Sequence, residues 1–260
     1  MSVDKRYFPT EIEYPESDGE PMAETDVHRD LMVDLIEGLK HHFQDDPMTY
    51  VTGNMLLYYL EGNPYVSVAP DVFVVRGVPK HRRRTYKVWE EGRAPDVVFE
   101  ISSRGTWGKD LHKNPKIYAE LGVREYYLFD PEYDYLEPPF LAYRLENGDY
   151  EKAAVVGGRI ASPVLGLDLV DTGKTLRLLD PRTGEFLPTF EEIEAARRQA
   201  VFRAEYAEAR AQDAESRAQN AESRAQNAES RLTAEAEARR NAEAELARLR
   251  DELVQHKQQS

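Results

Sequence analysis

Pro95-Asp96-Val97-Val98-Phe99-Glu100-Ile101, residues 95–101, decides the fold. Its β-branched and aromatic residues favour a strand, the proline fixes the entry, and an acid sits near the end of the run. Pro70-Asp71-Val72-Phe73-Val74-Val75 has the same texture. Gathering buried carboxylates is costly unless a divalent cation neutralises them, and hard cations such as Mg²⁺ prefer oxygen ligands. Asp71, Asp96 and Glu100 are therefore candidate metal ligands. The alternative is that these acids cap turns beside a buried sheet, because Pro-Asp is common turn chemistry.

Upstream, Val27, Leu31, Leu35, Leu39 and Phe43 recur at helical spacing and predict an amphipathic helix over residues 26–43. His28, Glu37, His41 and His42 lie on or beside its core face without an H-x-x-x-H spacing, which makes them surface or packing residues. Short strands are expected at 49–52 and 55–60. Downstream, a polar loop over 102–109 leads to a helix ending near Leu121, with Asp110 or Asn114 as N-cap, Pro115 early and Gly122 as its stop. A buried strand follows at 125–129, ended by Asp130-Pro131. Hairpins are expected over 141–179, with turns at Asn147-Gly148 and Gly157-Gly158. Gly173-Lys174-Thr175 is a hairpin turn rather than a phosphate loop, since Asp168 stands where the loop's first glycine belongs. The lack of G-x-S-x-G and G-x-G-x-x-G weakens triad-hydrolase and dinucleotide readings.

The 260 residues suffice for one sizeable domain plus an appendage. With no cysteine, the chain has neither disulfides nor thiolate metal sites, which fits a reducing compartment. The polar, acidic first twenty residues and the lack of any run near the ~20 apolar residues of a membrane span predict a cytoplasmic protein. The net charge is −14, of which residues 189–260 carry −3 and residues 1–188 carry −11. A general phosphate-binding surface would be basic. Only Lys80, Arg82, Arg83, Arg84 and Lys87 run against the trend, either as a solvated loop or as a local phosphate clamp.

Beyond Pro188 there is no Pro or Gly, and a heptad repeat, AEARAQD-AESRAQN-AESRAQN-AESRLTA, begins at Ala207. With Ala207, Ala214, Ala221 and Ala228 as d positions, Ala211, Ala218, Ala225 and Leu232 fall at a. The frame reaches Leu246, Leu249 and Leu253, failing only at Glu235 and Arg239. Arg210, Arg217 and Arg224 then meet Glu215, Glu222 and Glu229 of a parallel copy, predicting a homodimer stalk. The competing reading is a solitary solvated helix, because an alanine seam buries little area at roughly 25 cal/mol per Å².

The stretch APDVVFEISSRGTWGKDLHKNPKIYAELGVREYYLFDP, residues 94–131, resembles the signature of the Uma-two family of endonucleases, a branch of the PD-(D/E)XK nuclease superfamily. VAPDVFVV at 68–75, VLGL at 164–167, LRLLDPRTGEFL at 176–187 and the Ala/Glu/Arg-rich tail extend the similarity over roughly residues 15–255. The resemblance implies an α/β, restriction endonuclease-like mixed β-sheet core flanked by helices, followed by a long coiled-coil helix. It also implies metal-dependent endonuclease action on DNA with Mg²⁺ or Mn²⁺. Asp71 and Glu100 match the family's acids, aided by the Ile101 carbonyl, and Asp96 is a reserve ligand four residues before Glu100 on the same strand face. Ser102 stands at the lysine of (D/E)-x-K; the family supplies that lysine four residues before the tyrosine matching Tyr118, where this chain has Asn114. Lys113 and Lys116 are the candidate substitutes, and Lys113, about 100° away on a helix, is the better placed. The expected organisation is a flexible segment (1–19), a nuclease-like domain (20–188) and a coiled-coil helix (189–260). A catalytically silent nuclease-fold protein that binds nucleic acid or regulates, and a coiled-coil scaffold, are the competing functions.

Overall fold

The computed structural model describes residues 12–17, 19 and 25–258, with side chains described as far as Asp251. Most of the expected flexible segment 1–19, and the side chain of Leu253, lie outside the described residues. Within that segment Tyr14 packs edge-on against Tyr58 (centroids 5.0 Å apart), and Tyr58 Oη donates to the Pro15 carbonyl at 2.7 Å. The chain divides into two compact units, Met1–Glu194 and Ala195–Ser260.

The first unit opens with α1 (Asp26–His42), capped by the Thr25 hydroxyl, which accepts from His28 N. Next come β1 (Thr49–Thr52), β2 (Leu57–Tyr58), β3 (Ser67–Val68), β4 (Val72–Arg76), β5 (Tyr86–Lys87), the single turn α2 (Val88–Glu91) and β6 (Val97–Ile101). Two short helices, α3 (Trp107–His112) and α4 (Asn114–Glu120), lead to β7 (Glu125–Phe129), β8 (Phe140–Glu146) and β9 (Asp149–Ala153). The unit continues through β10 (Arg159–Ser162), β11 (Leu167–Asp171), β12 (Leu176–Asp180) and β13 (Glu185–Phe186).

The central sheet runs β1-β4-β6-β7-β8-β9 and is mixed: β6 and β7 are parallel, their neighbours antiparallel. A parallel pair needs a crossover, which α3 and α4 provide. Strands β4, β6 and β7 are buried on both faces, so they read as continuous rather than alternating apolar runs. Val72, Val74, Val97 and Phe99 pack in one core with α1 and the β10–β12 meander. Phe73, Val75, Val98 and Leu128 pack in the other with Tyr118 of α4 and with Leu57 and Tyr86 of the small β3-β2-β5 sheet.

Three expectations are corrected. The strand expected at 55–60 shrinks to Leu57–Tyr58 and joins a different sheet. The chain leaves the central sheet at Gly53, where it passes so close to the neighbouring backbone that a Cβ would lie 1.8 Å from the Asp71 carbonyl oxygen. On α1, Val27 is exposed, and His28 joins Leu31, Leu35 and Leu39 on the buried face. Finally, the helix expected to end near Leu121 is two helices. Pro115 in the first turn of α4 has no N–H to continue the α3 ladder, so the chain restarts at Lys113. Asp110 and Asn114 are consequently not caps but buried side chains. The hairpin at Asn147-Gly148 forms as expected, both residues having positive φ.

In the second unit the described chain is all helix, part of α5 (Phe190–Gln258). Its polar surface is laced by ion pairs such as Arg217–Asp213 at 2.7 Å and Arg239–Glu243 at 3.1 Å, while Leu232, Leu246 and Leu249 are exposed. Among the described residues no helix is long and apolar enough to cross a membrane.

Candidate active site

Antiparallel pairing sets β4 against β6 with Val72 opposite Phe99. One step further along this register, Asp71 comes opposite Glu100. The backbone ties them reciprocally: Asp71 N donates to Glu100 Oε2 at 3.2 Å, and Ile101 N donates to Asp71 Oδ2 at 2.7 Å. Each acid is thus aimed by the other's strand.

The remaining contacts come from the crossover helices. Asp110, Asn114 and Tyr118 recur at four-residue steps, which places them along one side of the α3–α4 segment. Asn114 Nδ2 donates to Glu100 Oε1 at 3.0 Å and to Asp110 Oδ1 at 3.1 Å, and Tyr118 Oη donates to Glu100 Oε1 at 2.6 Å. From α1, His28 Nε2 lies 3.3 Å from Asp71 Oδ2. Glu100 and Asp110 are buried, whereas the Asp71 side chain is 17% exposed and forms the mouth of the site.

Electrostatics follow from this crowding. Burial first, then the charges of Asp71 and Asp110, push the Glu100 carboxyl well above its ordinary range, against the opposing hydrogen bond from Tyr118. Burial, aided by the Asp71 charge, pushes Asp110 up to about 7. Asp110 Oδ2 and Asn114 Oδ1 are buried without a hydrogen-bond partner among the described residues. Among those residues no three His, Asp or Glu side chains stand close enough to grip one ion. Mg²⁺, however, takes one or two carboxylates and completes its shell with water and substrate oxygens. Asp71 and Glu100 are the two carboxylates here that could serve as such a pair, with Asp110 joined to Glu100 through the Asn114 amide.

Residues 4–172 match the sequence family Uma2, described as "Putative restriction endonuclease". The chain belongs to the Uma2 family. No curated protein matches it significantly. A solved structure described as a "putative nuclease" from Anabaena variabilis is similar at 16% identity and a TM-score of 0.41, over 55% of this chain and 75% of that one.

In this Uma2 protein the other sequence candidates lie elsewhere. Asp96 shares the β6 face with Glu100 but sits at the opposite end of the strand, about 13 Å away at 3.3 Å per residue. There it accepts from Arg124 Nη2 at 2.7 Å and Arg76 N at 2.6 Å. Lys113 and Lys116 are exposed; among the described residues neither pairs with Asp71, Glu100 or Asp110, and Lys116 lines a separate groove with Tyr143 and Tyr150. Asn114 occupies the place expected for the lysine, and its amide supplies the hydrogen bonds there.

The basic run is mostly engaged with the protein itself. Lys80 Nζ bonds the Phe43 and Gln44 carbonyls at the end of α1, and Arg83 forms a two-pronged pair with Glu91 at 2.6 and 2.7 Å. Arg84 pairs with Glu16 and Lys87 with Glu90. It is neither a simple solvated loop nor a five-charge clamp. Sequence reasoning missed His28 and Asp110. Their only early signal was a polar residue on or next to a helix's apolar face, a pattern that packing histidines and caps share.

Proposed function

We propose that this Uma2 protein is a divalent-metal-dependent DNA endonuclease that hydrolyses phosphodiester bonds at Asp71 and Glu100. The facing of these two carboxylates across adjacent strands is the observation that supports it. Mg²⁺ or Mn²⁺ bound there would supply Lewis acidity to the scissile phosphodiester and a water of lowered pKa. Asn114 and Tyr118 hold Glu100 Oε1, so the Oε2 edge stays turned toward Asp71. Ile101 N and His28 fix Asp71 Oδ2. The exposed side of Asp71 is where a phosphate oxygen enters. Supercoiled plasmid incubated with Mg²⁺ or Mn²⁺ is expected to become relaxed and then linear, with no conversion in EDTA. Equal conversion in EDTA refutes the proposal.

A second reading, nucleic-acid binding by a catalytically silent nuclease fold, is favoured by the amide at Asn114. An amide neither offsets developing negative charge nor transfers a proton as an ammonium does. Asn114→Lys is expected to raise cleavage at least about 10-fold, since positioned proton transfer contributes 10²–10⁴ in general. An unchanged rate, measured on plasmid under identical metal, sinks the idea that a lysine is what this site lacks.

We also propose that the helical tail pairs in parallel with a second copy through its alanine seam. Replacing Ala211, Ala218 and Ala225 by leucine adds buried apolar area at each a position and is expected to shift the full-length chain from a concentration-dependent equilibrium to a stable dimer. Sedimentation equilibrium reads this directly. A triple variant that stays monomeric at high concentration supports the solitary-helix reading.

A further inference from the structure

Strand β1 is one of the two edge strands of the central sheet and lines a groove of about 490 Å³. Along it converge Lys40 from the end of α1 and Lys80, His81, Arg82 and Arg83 from the basic loop, and among the described residues no acidic one lines it. In a chain of net charge −14 such a surface is a local reversal of sign.

The loop that carries these charges is fixed in place. Lys80 is bound to the carbonyls of Phe43 and Gln44, just past the end of α1. Arg83 is held by Glu91 and by the Pro79 and His81 carbonyls, and its guanidinium lies 4.2 Å from the centre of the Tyr50 ring. Between these two anchors His81 and Arg82 are exposed to solvent, and Lys40, which pairs with the half-buried Glu37 at 2.8 Å, lines the same groove. Thr52 lies at the far end of the β1 wall, and Gly53, the next residue, presses on the backbone of Asp71. The groove therefore leads toward the mouth of the candidate active site.

We propose that this groove carries the phosphate backbone of a nucleic-acid strand toward Asp71 and Glu100, with Arg82 and Lys40 as its phosphate contacts. The proposal takes its direction of travel from the nuclease reading, while the binding itself does not depend on cleavage. Phosphate neutralisation gives a log K that falls with log salt by about 0.9 per contact on duplex DNA and about 0.7 on single strands.

The test is fluorescence anisotropy of a labelled 20-nucleotide DNA, single-stranded and as duplex, titrated with the full chain in EDTA at several salt concentrations. The Lys40→Glu/Arg82→Glu variant is expected to bind the strand form that the groove accepts at least 10-fold more weakly. Its salt slope should be shallower by about 1.4 for the single strand or about 1.8 for the duplex. Circular dichroism and thermal unfolding of the variant confirm that the fold is retained. Unchanged affinity and slope for both DNA forms in a folded variant overturn the proposal. A wild-type chain that binds through these residues yet never nicks plasmid supports the groove and refutes the nuclease reading. One that nicks plasmid while binding ignores both substitutions does the reverse.

Discussion

Asp71→Ala and Glu100→Gln are each expected to lower metal-dependent plasmid cleavage by about 10²-fold or more while the protein stays folded. Removing a preorganised group that acts on transition-state charge typically costs 10²–10³ in rate. The choice of substitution at each position follows from its surroundings. Asp71 is partly exposed, so truncation leaves Ile101 N and His28 within reach of water. Glu100 is buried and accepts from Asn114, Tyr118 and Asp71 N, so alanine would orphan three donors at once. Glutamine keeps an acceptor oxygen for Asn114 and Tyr118 and removes the charge. Glu100→Ala should abolish cleavage as well, with an added loss of stability. Cleavage at the wild-type rate by both Asp71→Ala and Glu100→Gln, each shown folded by circular dichroism, removes these residues from the mechanism.

The second large effect is on stability. A carboxyl whose folded pKa lies above its unfolded value keeps its proton longer when folded, so its contribution is fully present at low pH and is lost as pH rises toward the folded pKa. Asp110, pushed from 3.8 up to about 7, and Glu100, raised in the same direction, should make the metal-free protein less stable as pH climbs from about 4 to about 7. At 1.36 kcal/mol per pKa step, the pair of buried acids accounts for a loss on the order of a few kcal/mol. Thermal unfolding in EDTA across that range should show the loss, and Asp110→Asn should flatten it. Millimolar Mg²⁺ or Mn²⁺ should restore stability at pH 7, because a ligand that binds only the folded state stabilises by mass action. A flat profile in EDTA, identical in wild type and Asp110→Asn, contradicts the assignment of these buried acids as the destabilising charges.

The two strands that place Asp71 and Glu100 were legible because each follows from a local pattern, a proline-opened β-branched run bearing an acid. Asp96 carries the same signature yet sits at the other end of the strand, engaged with Arg124 and Arg76 N, and the reason is geometric. Period-2 alternation gives the face of a strand but not the end of the sheet at which a residue lies. Lys113 and Lys116 were named from adjacency to Asn114 along the chain, but the break at Pro115 and the packing of α4 leave both exposed. The basic run was visible as charge, yet which cations are committed to Phe43, Glu91 and Glu16 depends on partners far away in sequence or across a turn.

Composition and periodicity alone determined the long helix of the tail, the amphipathic α1, the buried strands β4, β6 and β7 and their acids, because these rest on interactions within a few residues. Tertiary structure alone decided that antiparallel register sets Asp71 against Glu100, and that Asp110, Asn114 and Tyr118 face the same point. It also decided that His28 reaches Asp71 and that β1 is left as an edge beside a cationic loop. The physical reason is that burial and strand pairing join residues distant in sequence, and the cost of burying charge is set by those neighbours rather than by the residue itself.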